Sequence, residues 1–151
     1  MTDLIEPAPV RRGPRALDVV LVEDHPGYRE QLRQLFEGLE GVRVVHTADR
    51  AQGILGWLAD HPRDWDLLVL DIFLAEGHGY QVLRACRDRQ AHQRAVLLTS
   101  YTREPAASQA ITLGADAVFD KTTGTGLLLR YAAEMQEALL LPHAVATPLR
   151  P

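Results

Sequence analysis

The stretch LLVLDIFLAEGHG, residues 67–79, decides the fold class. Four apolar residues run directly into one carboxylate, Asp71, and the chain then becomes polar and glycine-rich. A carboxylate at the end of a buried strand is costly unless other polar groups or a cation meet it. The pattern therefore predicts a buried central strand that delivers Asp71 to a site formed together with other segments of the chain.

The composition of the 151 residues is typical of one ordinary folded domain. A net charge of −4 gives no indication of a nucleic-acid-binding surface. No apolar run approaches the roughly 20 residues of a membrane span, and the N-terminus lacks an apolar signal-peptide core. Cys86 is the only cysteine, which excludes an internal disulfide. These features predict a cytoplasmic protein that neither binds nucleic acid directly nor inserts into a membrane.

Strand and helix patterns alternate between two proline-rich ends. We predict an N-terminal Pro/Arg-rich arm at residues 1–16, one domain at 17–141 and a C-terminal tail at 142–151. Strand patterns occur at 16–24, 42–47, 66–71, 95–100 and 116–120, and helix patterns at 26–39, 50–61, 80–88, 104–114 and 126–141.

The predicted strands are unbroken apolar runs, so both faces of their sheet must be covered by helices. Right-handed crossovers then leave few topologies. The prediction is an α/β fold, a doubly wound five-stranded parallel sheet of order 2-1-3-4-5. In such a sheet the functional site lies at the carboxyl ends of the strands, near the switch point between strands 1 and 3.

Polar residues end four of the five predicted strands. Glu23 and Asp24 end strand 1 and Asp71 ends strand 3, so three carboxylates should form one cluster. Carboxylates at close range repel one another unless a cation is present, and hard oxygen ligands suit Mg²⁺. Thr99 follows strand 4 and Lys121 follows strand 5. A cation, an ammonium and a hydroxyl at one edge are what a phosphoryl group in transfer needs.

Four segments, VLVEDHPGYRE, LLVLDIFLAEGHG, AVLLTSYT and GADAVFDK, resemble the receiver domain of two-component response regulators. The resemblance covers most of the chain and implies a flavodoxin-like (βα)5 receiver fold. It implies that Asp71 is the phospho-acceptor, that Thr99 supplies the switch hydroxyl and that Lys121 pairs with the phosphoryl group. Lys121 is the only lysine among sixteen Lys and Arg residues, and it falls on the position of the family's lysine.

The same resemblance implies a metal site for Mg²⁺ or Mn²⁺. The carboxylates of Asp24 and Asp71 and the backbone carbonyl of Phe73 would bind the ion, while Glu23 would act largely through water. The chemistry would be attack of the Asp71 carboxylate on phosphorus, as in other aspartyl-phosphate enzymes. The domain would catalyse only its own phosphorylation and autodephosphorylation, so it is not a conventional enzyme.

The function implied by the resemblance is that of a single-domain response regulator. A histidine kinase or a histidine phosphotransfer protein would donate the phosphoryl group. Since no output domain is predicted, the chain would signal by phosphorelay or by binding a downstream target through the helix 4–strand 5–helix 5 face. A homodimer is a further option.

Thr122 and Val118 are two positions that depart from the family's pattern. Thr122 stands where the family usually has a proline joined to the lysine by a cis bond. Because a non-proline cis bond costs roughly 3 kcal/mol, we predict a trans Lys121–Thr122 bond. The family's switch aromatic would lie at Val118, whereas Phe119 should point to the opposite face of the sheet. Tyr101 is a candidate substitute, and an ordinary loop aromatic is the alternative.

Phe73 and Tyr101 are bulky residues at the predicted edge of the site. We hypothesise that they hinder an attacking water and lengthen the lifetime of a phosphoryl group on Asp71. Other candidates are assigned to structure: His25 as a loop residue and Cys86 as a core residue. The threonine-rich residues 122–125 are predicted to cap the last helix.

Two rival functions remain open. The first is a receiver-like interaction module that does not turn over phosphate, which Thr122 and Val118 favour and the complete acid–Thr–Lys set opposes. The second is a catalytic protein of the same topology. A flavin binder would need a Ser/Thr/Gly-rich loop after strand 1, where the chain has EDHPG. A phosphatase with an Asp nucleophile would typically have a second Asp where the chain has Phe73.

Overall fold

Five strands and five helices alternate along residues 15–141, the part of the chain that the computed structural model describes. They are β1 Leu17–Val22, α1 Pro26–Glu37, β2 Val42–Ala48, α2 Ala51–Asp60, β3 Leu67–Leu70, α3 Gly79–Ala85, β4 Arg94–Thr99, α4 Ala106–Thr112, β5 Ala117–Asp120 and α5 Thr125–Ala138. Every predicted strand and helix is present, and the boundaries differ from the predicted ones by a few residues at most.

The strands form one parallel sheet in the order β2-β1-β3-β4-β5, which confirms the predicted topology. β1 lies beside β3 with Val22 paired with Leu70, so the segments that follow these two strands start side by side. At the other half of the sheet, Thr99 pairs with Asp120 at the ends of β4 and β5. The predicted site residues therefore follow strands that end at one edge of the sheet.

Two hydrophobic clusters cover the two faces of the sheet. Val20 and Leu68 belong to the cluster packed against α2, α3 and α4, and this cluster includes Cys86, which is buried as predicted. Val19 and Leu67 belong to the cluster packed against α1 and α5. Since successive side chains of a strand point to opposite faces, burial on both sides fixes the register of β1 and β3.

The edge strand β2 differs from the predicted unbroken apolar strand. Its side chains alternate between exposed and covered positions along Val42–Ala48, and Val45 is exposed. Arg43 extends from the open face to the carboxylate of Asp18 on β1, at 2.6 Å. A strand with a neighbour on one side only needs less apolar surface, and a charge on it discourages pairing with another chain.

The predicted arm and tail lie outside the described residues, apart from Arg15 and Ala16. Arg15 is attached to the domain by two hydrogen bonds of 2.7 Å to the carboxylate of Asp66. The same carboxylate, which is 3% exposed, accepts the backbone N–H of Asp18 at 2.8 Å. The charge of a buried acid is thereby compensated at the amino-terminal edge of the sheet.

None of the helices within residues 15–141 has the length and apolar character needed to cross a membrane.

The two helices nearest the predicted site begin in different ways. In α1, Nδ1 of His25 accepts the N–H of Tyr28 at 3.1 Å and Pro26 occupies the first turn, so His25 has a structural role as a helix cap. In α5 the cap is Gly124, which lies within the predicted segment 122–125 and has no side-chain hydrogen bond. A Cβ at Gly124 would lie 2.8 Å from the backbone N and O of Asp120, which explains the glycine.

Three rings stack between β2 and α2. Trp57 lies between His46 and His61, with centroid distances of 4.7 and 4.5 Å and interplanar angles of 9° and 15°. Burial lowers the pKa of His46, and the charge that His61 can carry lowers it further. The stack therefore favours the neutral form of His46.

Gly79 opens α3 directly against the end of β3. Its N–H donates to the carbonyl oxygen of Ile72 at 2.6 Å. A Cβ at this position would overlap the Asp71 carbonyl oxygen and lie 2.8 Å from the Leu70 side chain. Only a glycine lets α3 begin this close, so the start of α3 fixes the backbone that carries Asp71.

Acidification should destabilise the fold through His46. An unfolded histidine titrates near its ordinary pKa of about 6.5, whereas the folded state binds the proton less readily, so the unfolded state holds more protons below that value. The free energy of unfolding, measured by urea denaturation, should be lower at about pH 5.5 than at about pH 7.5. His46→Phe keeps a flat ring without a titratable group, so its free energy of unfolding should fall less between these two pH values. An equal fall in the variant and the parent would contradict the role of His46.

Replacing Gly79 by alanine should cost about 1–3 kcal/mol of unfolding free energy, because the added methyl group overpacks the backbone of Asp71. Gly53→Ala is the matched control, since nothing lies within 4 Å of a Cβ at that position in α2. It should raise stability by about 0.5–1 kcal/mol. Both are measured by chemical denaturation, and a Gly79→Ala protein as stable as the parent would show that the close approach is not required.

Candidate functional site

Three carboxylates meet at the carboxyl ends of β1 and β3, as the sequence predicts. Glu23 and Asp24 follow β1 and Asp71 follows β3, and their carboxylate oxygens lie within 4.8 Å of one another. Glu23 is 3% exposed and Asp71 is 7% exposed, whereas Asp24 is open to solvent. The cluster therefore has two buried charges and one exposed charge.

The ammonium group of Lys121 compensates the two buried carboxylates. Its Nζ lies 2.9 Å from Oε1 of Glu23 and 2.7 Å from Oδ2 of Asp71. Burial lowers the pKa of Lys121, but the hydrogen bonds and charges of the two acids outweigh that effect and hold the pKa above its usual value. The group is thus a fixed positive charge at the centre of the site.

Glu23 is also held by the start of α1. Its Oε2 accepts the backbone N–H of His25 at 3.1 Å, while its backbone carbonyl accepts from the Arg29 guanidinium at 2.7 Å. Burial raises the pKa of Glu23, and the hydrogen bonds from Lys121 and His25 oppose the rise. One carboxylate therefore ties the end of β1 to α1 and to the lysine that follows β5.

Thr99 lies at the end of β4 with its side chain fully buried. Its hydroxyl oxygen accepts the backbone N–H of Tyr101 at 3.1 Å, and its carbonyl oxygen accepts the N–H of Lys121 at 3.0 Å. The hydroxyl is thus engaged with the loop that follows β4, and the backbone of Thr99 positions the residue that carries the ammonium group.

The loop after Lys121 is held by Asp120. Its Oδ1 accepts the backbone N–H groups of Thr122 at 2.7 Å and Thr123 at 3.3 Å, and its Oδ2 accepts the hydroxyl of Thr102 at 3.2 Å. The hydrogen bond from Thr122 is the largest cause of the lowered pKa of Asp120. The Lys121–Thr122 bond is trans, as predicted; within residues 15–141 the cis bond joins Glu104 and Pro105.

Phe73 and Tyr101 form an exposed aromatic pair. Their ring centroids are 4.9 Å apart at an interplanar angle of 75°, and the residues are 54% and 57% exposed. Each ring follows a site residue by two positions, Phe73 after Asp71 and Tyr101 after Thr99. Both residues therefore belong to the segments that follow β3 and β4, and their shielding of Asp71 stays a prediction.

The donor set fits a hard divalent cation. The three carboxylates supply only oxygen atoms, and at least one of them is open to solvent. Phe73 and His78 form an isolated antiparallel bridge that is closed by hydrogen bonds from Gly79 to Ile72 and from Leu74 to Gly77. This bridge does not use the Phe73 carbonyl, which leaves that oxygen available as a further ligand.

Tyr28 is a site residue that the sequence motifs did not single out. Its ring lies beneath the Lys121 ammonium, with Nζ 4.8 Å from the ring centroid. A usable signal was present, because α1 starts only four residues after β1 and Tyr28 falls in its first turn, next to the strand ends. Hydrophobic spacing alone cannot distinguish a ring that fills the core from a ring that also meets a charge.

Val118 and Phe119 point to opposite faces of the sheet, as predicted. Val118 packs against the cluster beside α2, α3 and α4, whereas Phe119 packs on the other side with its ring 5.6 Å from that of Tyr131. The position of the family's switch aromatic is therefore occupied by a small aliphatic side chain, and Tyr101 is the aromatic residue whose backbone contacts the Thr99 hydroxyl.

Comparison with known proteins connects this site with a family. The chain is 31% identical over 128 residues to the KDP operon transcriptional regulatory protein KdpE of Escherichia coli (strain K12), which covers 83% of this chain and 55% of the relative. It is 32% identical to the DNA-binding transcriptional activator DevR/DosR of Mycobacterium tuberculosis (strain ATCC 25618 / H37Rv), covering 80% of this chain and 66% of the relative. The chain spans about half the length, or less, of several curated relatives it matches.

Solved structures share the fold. The signal receiver domain of the response regulator NarL from Mycobacterium tuberculosis superposes with a TM-score of 0.70 at 26% identity, covering 82% of this chain and 98% of that chain. The family described as "Response regulator receiver domain" matches residues 19–133, which include the three carboxylates, Thr99 and Lys121. The chain therefore belongs to the response regulator receiver domain family of two-component systems.

Proposed function

We propose that this domain accepts a phosphoryl group on Asp71 from the phosphohistidine of a histidine kinase or a histidine phosphotransfer protein. The observation that carries the proposal is the Lys121 ammonium, 2.7 Å from Oδ2 of Asp71 and 2.9 Å from Glu23. A positive charge fixed beside a carboxylate nucleophile can neutralise the oxygens of a phosphoryl group as it arrives.

In the proposed transfer, a carboxylate oxygen of Asp71 attacks phosphorus. A P–O bond forms, the P–N bond to the donor imidazole breaks, and the electron pair of that bond returns to the imidazole nitrogen. The other Asp71 oxygen, Oδ1, accepts the N–H of Ile72 at 2.7 Å, which orients the carboxylate. Lys121 would leave its contact with Oδ2 and pair with a phosphoryl oxygen.

Asp24, Asp71 and the Phe73 carbonyl would hold Mg²⁺ or Mn²⁺, with Glu23 acting largely through water. The cation, when bound, supplies positive charge to the phosphoryl oxygens. Asp24 suits direct binding because it is exposed, whereas Glu23 is already engaged by Lys121 and by the His25 N–H. This difference favours Asp24 over Glu23 as a direct ligand.

Phosphorylation would act on the output surface through Thr99. Its hydroxyl oxygen now accepts the Tyr101 N–H, and the same hydroxyl would donate its O–H to a phosphoryl oxygen on Asp71, which would draw Thr99 inward and move the loop after β4. The downstream target would bind the face formed by α4, β5 and α5. Ile111 of α4 and Leu127 of α5 are exposed apolar side chains on the bordering helices, at 50% and 58%.

The second candidate is an interaction module that does not turn over phosphate. Val118, in place of the aromatic residue, is the observation that favours it, because the usual aromatic partner of the switch hydroxyl is absent at that position. The predictions of a stand-alone chain, a homodimer, a cytoplasmic location and the lack of direct nucleic-acid binding stay predictions.

Incubation with acetyl phosphate and Mg²⁺ should add one phosphoryl group, and Asp71→Asn should abolish it because the amide is not a nucleophile. Intact-mass spectrometry measures the product. Asp49→Asn, an exposed carboxylate outside the cluster, is the control and should be labelled like the parent. An unlabelled parent would favour the interaction module, whereas full labelling of Asp71→Asn would contradict Asp71 as the acceptor.

Phe73→Asn and Tyr101→Glu should each shorten the lifetime of phospho-Asp71. If the two rings hinder the attacking water, their removal should speed hydrolysis roughly two- to tenfold, equivalent to about 0.4–1.4 kcal/mol in the barrier. Loss of phosphoprotein after removal of the donor measures the rate. Leu35→Asn, an exposed apolar residue of α1, is the control. Unchanged or slower hydrolysis in both variants would exclude the shielding role.

A further inference from the structure

Tyr28 contacts the ammonium group at the centre of the site. Nζ of Lys121 lies over the Tyr28 ring, 4.8 Å from its centroid, and the same nitrogen is bonded to Glu23 and Asp71. An ammonium group has three N–H bonds, and two of them are directed to these carboxylates. The third side of the group faces the negative face of an aromatic ring.

The surroundings make this contact stronger than one on an open surface. The Lys121 side chain is 20% exposed, and Tyr28 packs against the hydrophobic cluster beside α1 and α5. A cation held over a ring gains more attraction where water is largely excluded. The contact also joins α1 to the loop after β5, two segments that no strand ladder connects.

The Tyr28 hydroxyl does not explain why the residue is there. It is buried and makes no hydrogen bond, which is a cost that a purely apolar side chain at this position would avoid. The ring, rather than the hydroxyl, is the part of Tyr28 that contacts a functional group.

We infer that Tyr28 is a positioning residue whose ring holds the Lys121 ammonium in place while the partner of that ammonium changes from the Asp71 carboxylate to a phosphoryl oxygen. The second half of this inference, the change of partner, rests on the proposed function. Glu23 and the ring would then be the two constant contacts of Lys121. The Tyr28 ring does not need to move to keep this contact, because it is already packed in the first turn of α1.

The chain offers a selective probe of this contact, because it contains a single lysine. Protein labelled with ¹³C-lysine gives one Hε–Cε resonance, and a ring beneath the ammonium should shift the Hε signal upfield. Tyr28→Leu should move the signal toward the value of a free lysine, whereas Tyr28→Phe should retain the shift. Tyr28→Met serves in the same way as Tyr28→Leu if the leucine variant does not fold.

Tyr131→Leu is the matched control. Tyr131 belongs to the same hydrophobic cluster and also has a buried hydroxyl without a hydrogen bond, but its ring packs on Phe119. This variant should leave the lysine resonance close to that of the parent. A resonance that does not move in Tyr28→Leu, or that moves as far in Tyr131→Leu, overturns the contact.

The role in transfer is tested by the initial rate of phosphorylation by acetyl phosphate with Mg²⁺. Tyr28→Leu should be roughly two- to tenfold slower than Tyr28→Phe, the range expected for one cation–π contact. Equal rates, with a displaced lysine resonance, overturn the positioning role. If the parent is not phosphorylated at all, the proposed function fails, and the resonance alone then decides whether the ring holds the ammonium.

Discussion

The site depends on one ammonium group that two buried carboxylates share. Without Lys121, the buried carboxylates of Glu23 and Asp71 would repel each other. Leaving a buried charge without its partner typically costs about 3–5 kcal/mol. The three groups follow β1, β3 and β5, and β5 is not a neighbour of β1 in the sheet. Electrostatics therefore connects strand ends that the backbone ladders leave apart.

This arrangement allows Lys121 to change one charged partner while its other contacts keep it in the site. Lys121 is held from several sides, by Glu23, by the Tyr28 ring and through its backbone N–H by Thr99, so the loss of one contact does not release it. Under the proposed function, the contact with Asp71 is the one that changes. A phosphoryl group would then take over an ammonium that is already in place, and little reorganisation would be needed at the moment of transfer.

The sequence predicted the structural features that depend on the order and the ends of the strands. It did not predict the features that depend on packing distances between segments. Unbroken apolar runs identified the central strands, and their order placed Glu23, Asp71 and Lys121 at one edge. The alternation in β2 follows from its position at the sheet edge, which burial patterns of single segments do not reveal. The cap at Gly124 depends on its approach to the Asp120 backbone. A contact between an aromatic ring and a charged group on distant segments of the chain produces no repeating pattern in the sequence.

The choice of lysine follows from the geometry of these contacts. The chain uses arginine at every other basic position, so its general composition does not explain Lys121. An ammonium is compact and can direct its donors to two carboxylates while a ring covers its remaining side. A guanidinium spreads its donors in one plane and suits a bidentate partner, such as the pair that Arg15 makes with Asp66 at the other end of the sheet. The two ends of the sheet thus compensate buried acids with different cations, each matched to the number and direction of its partners.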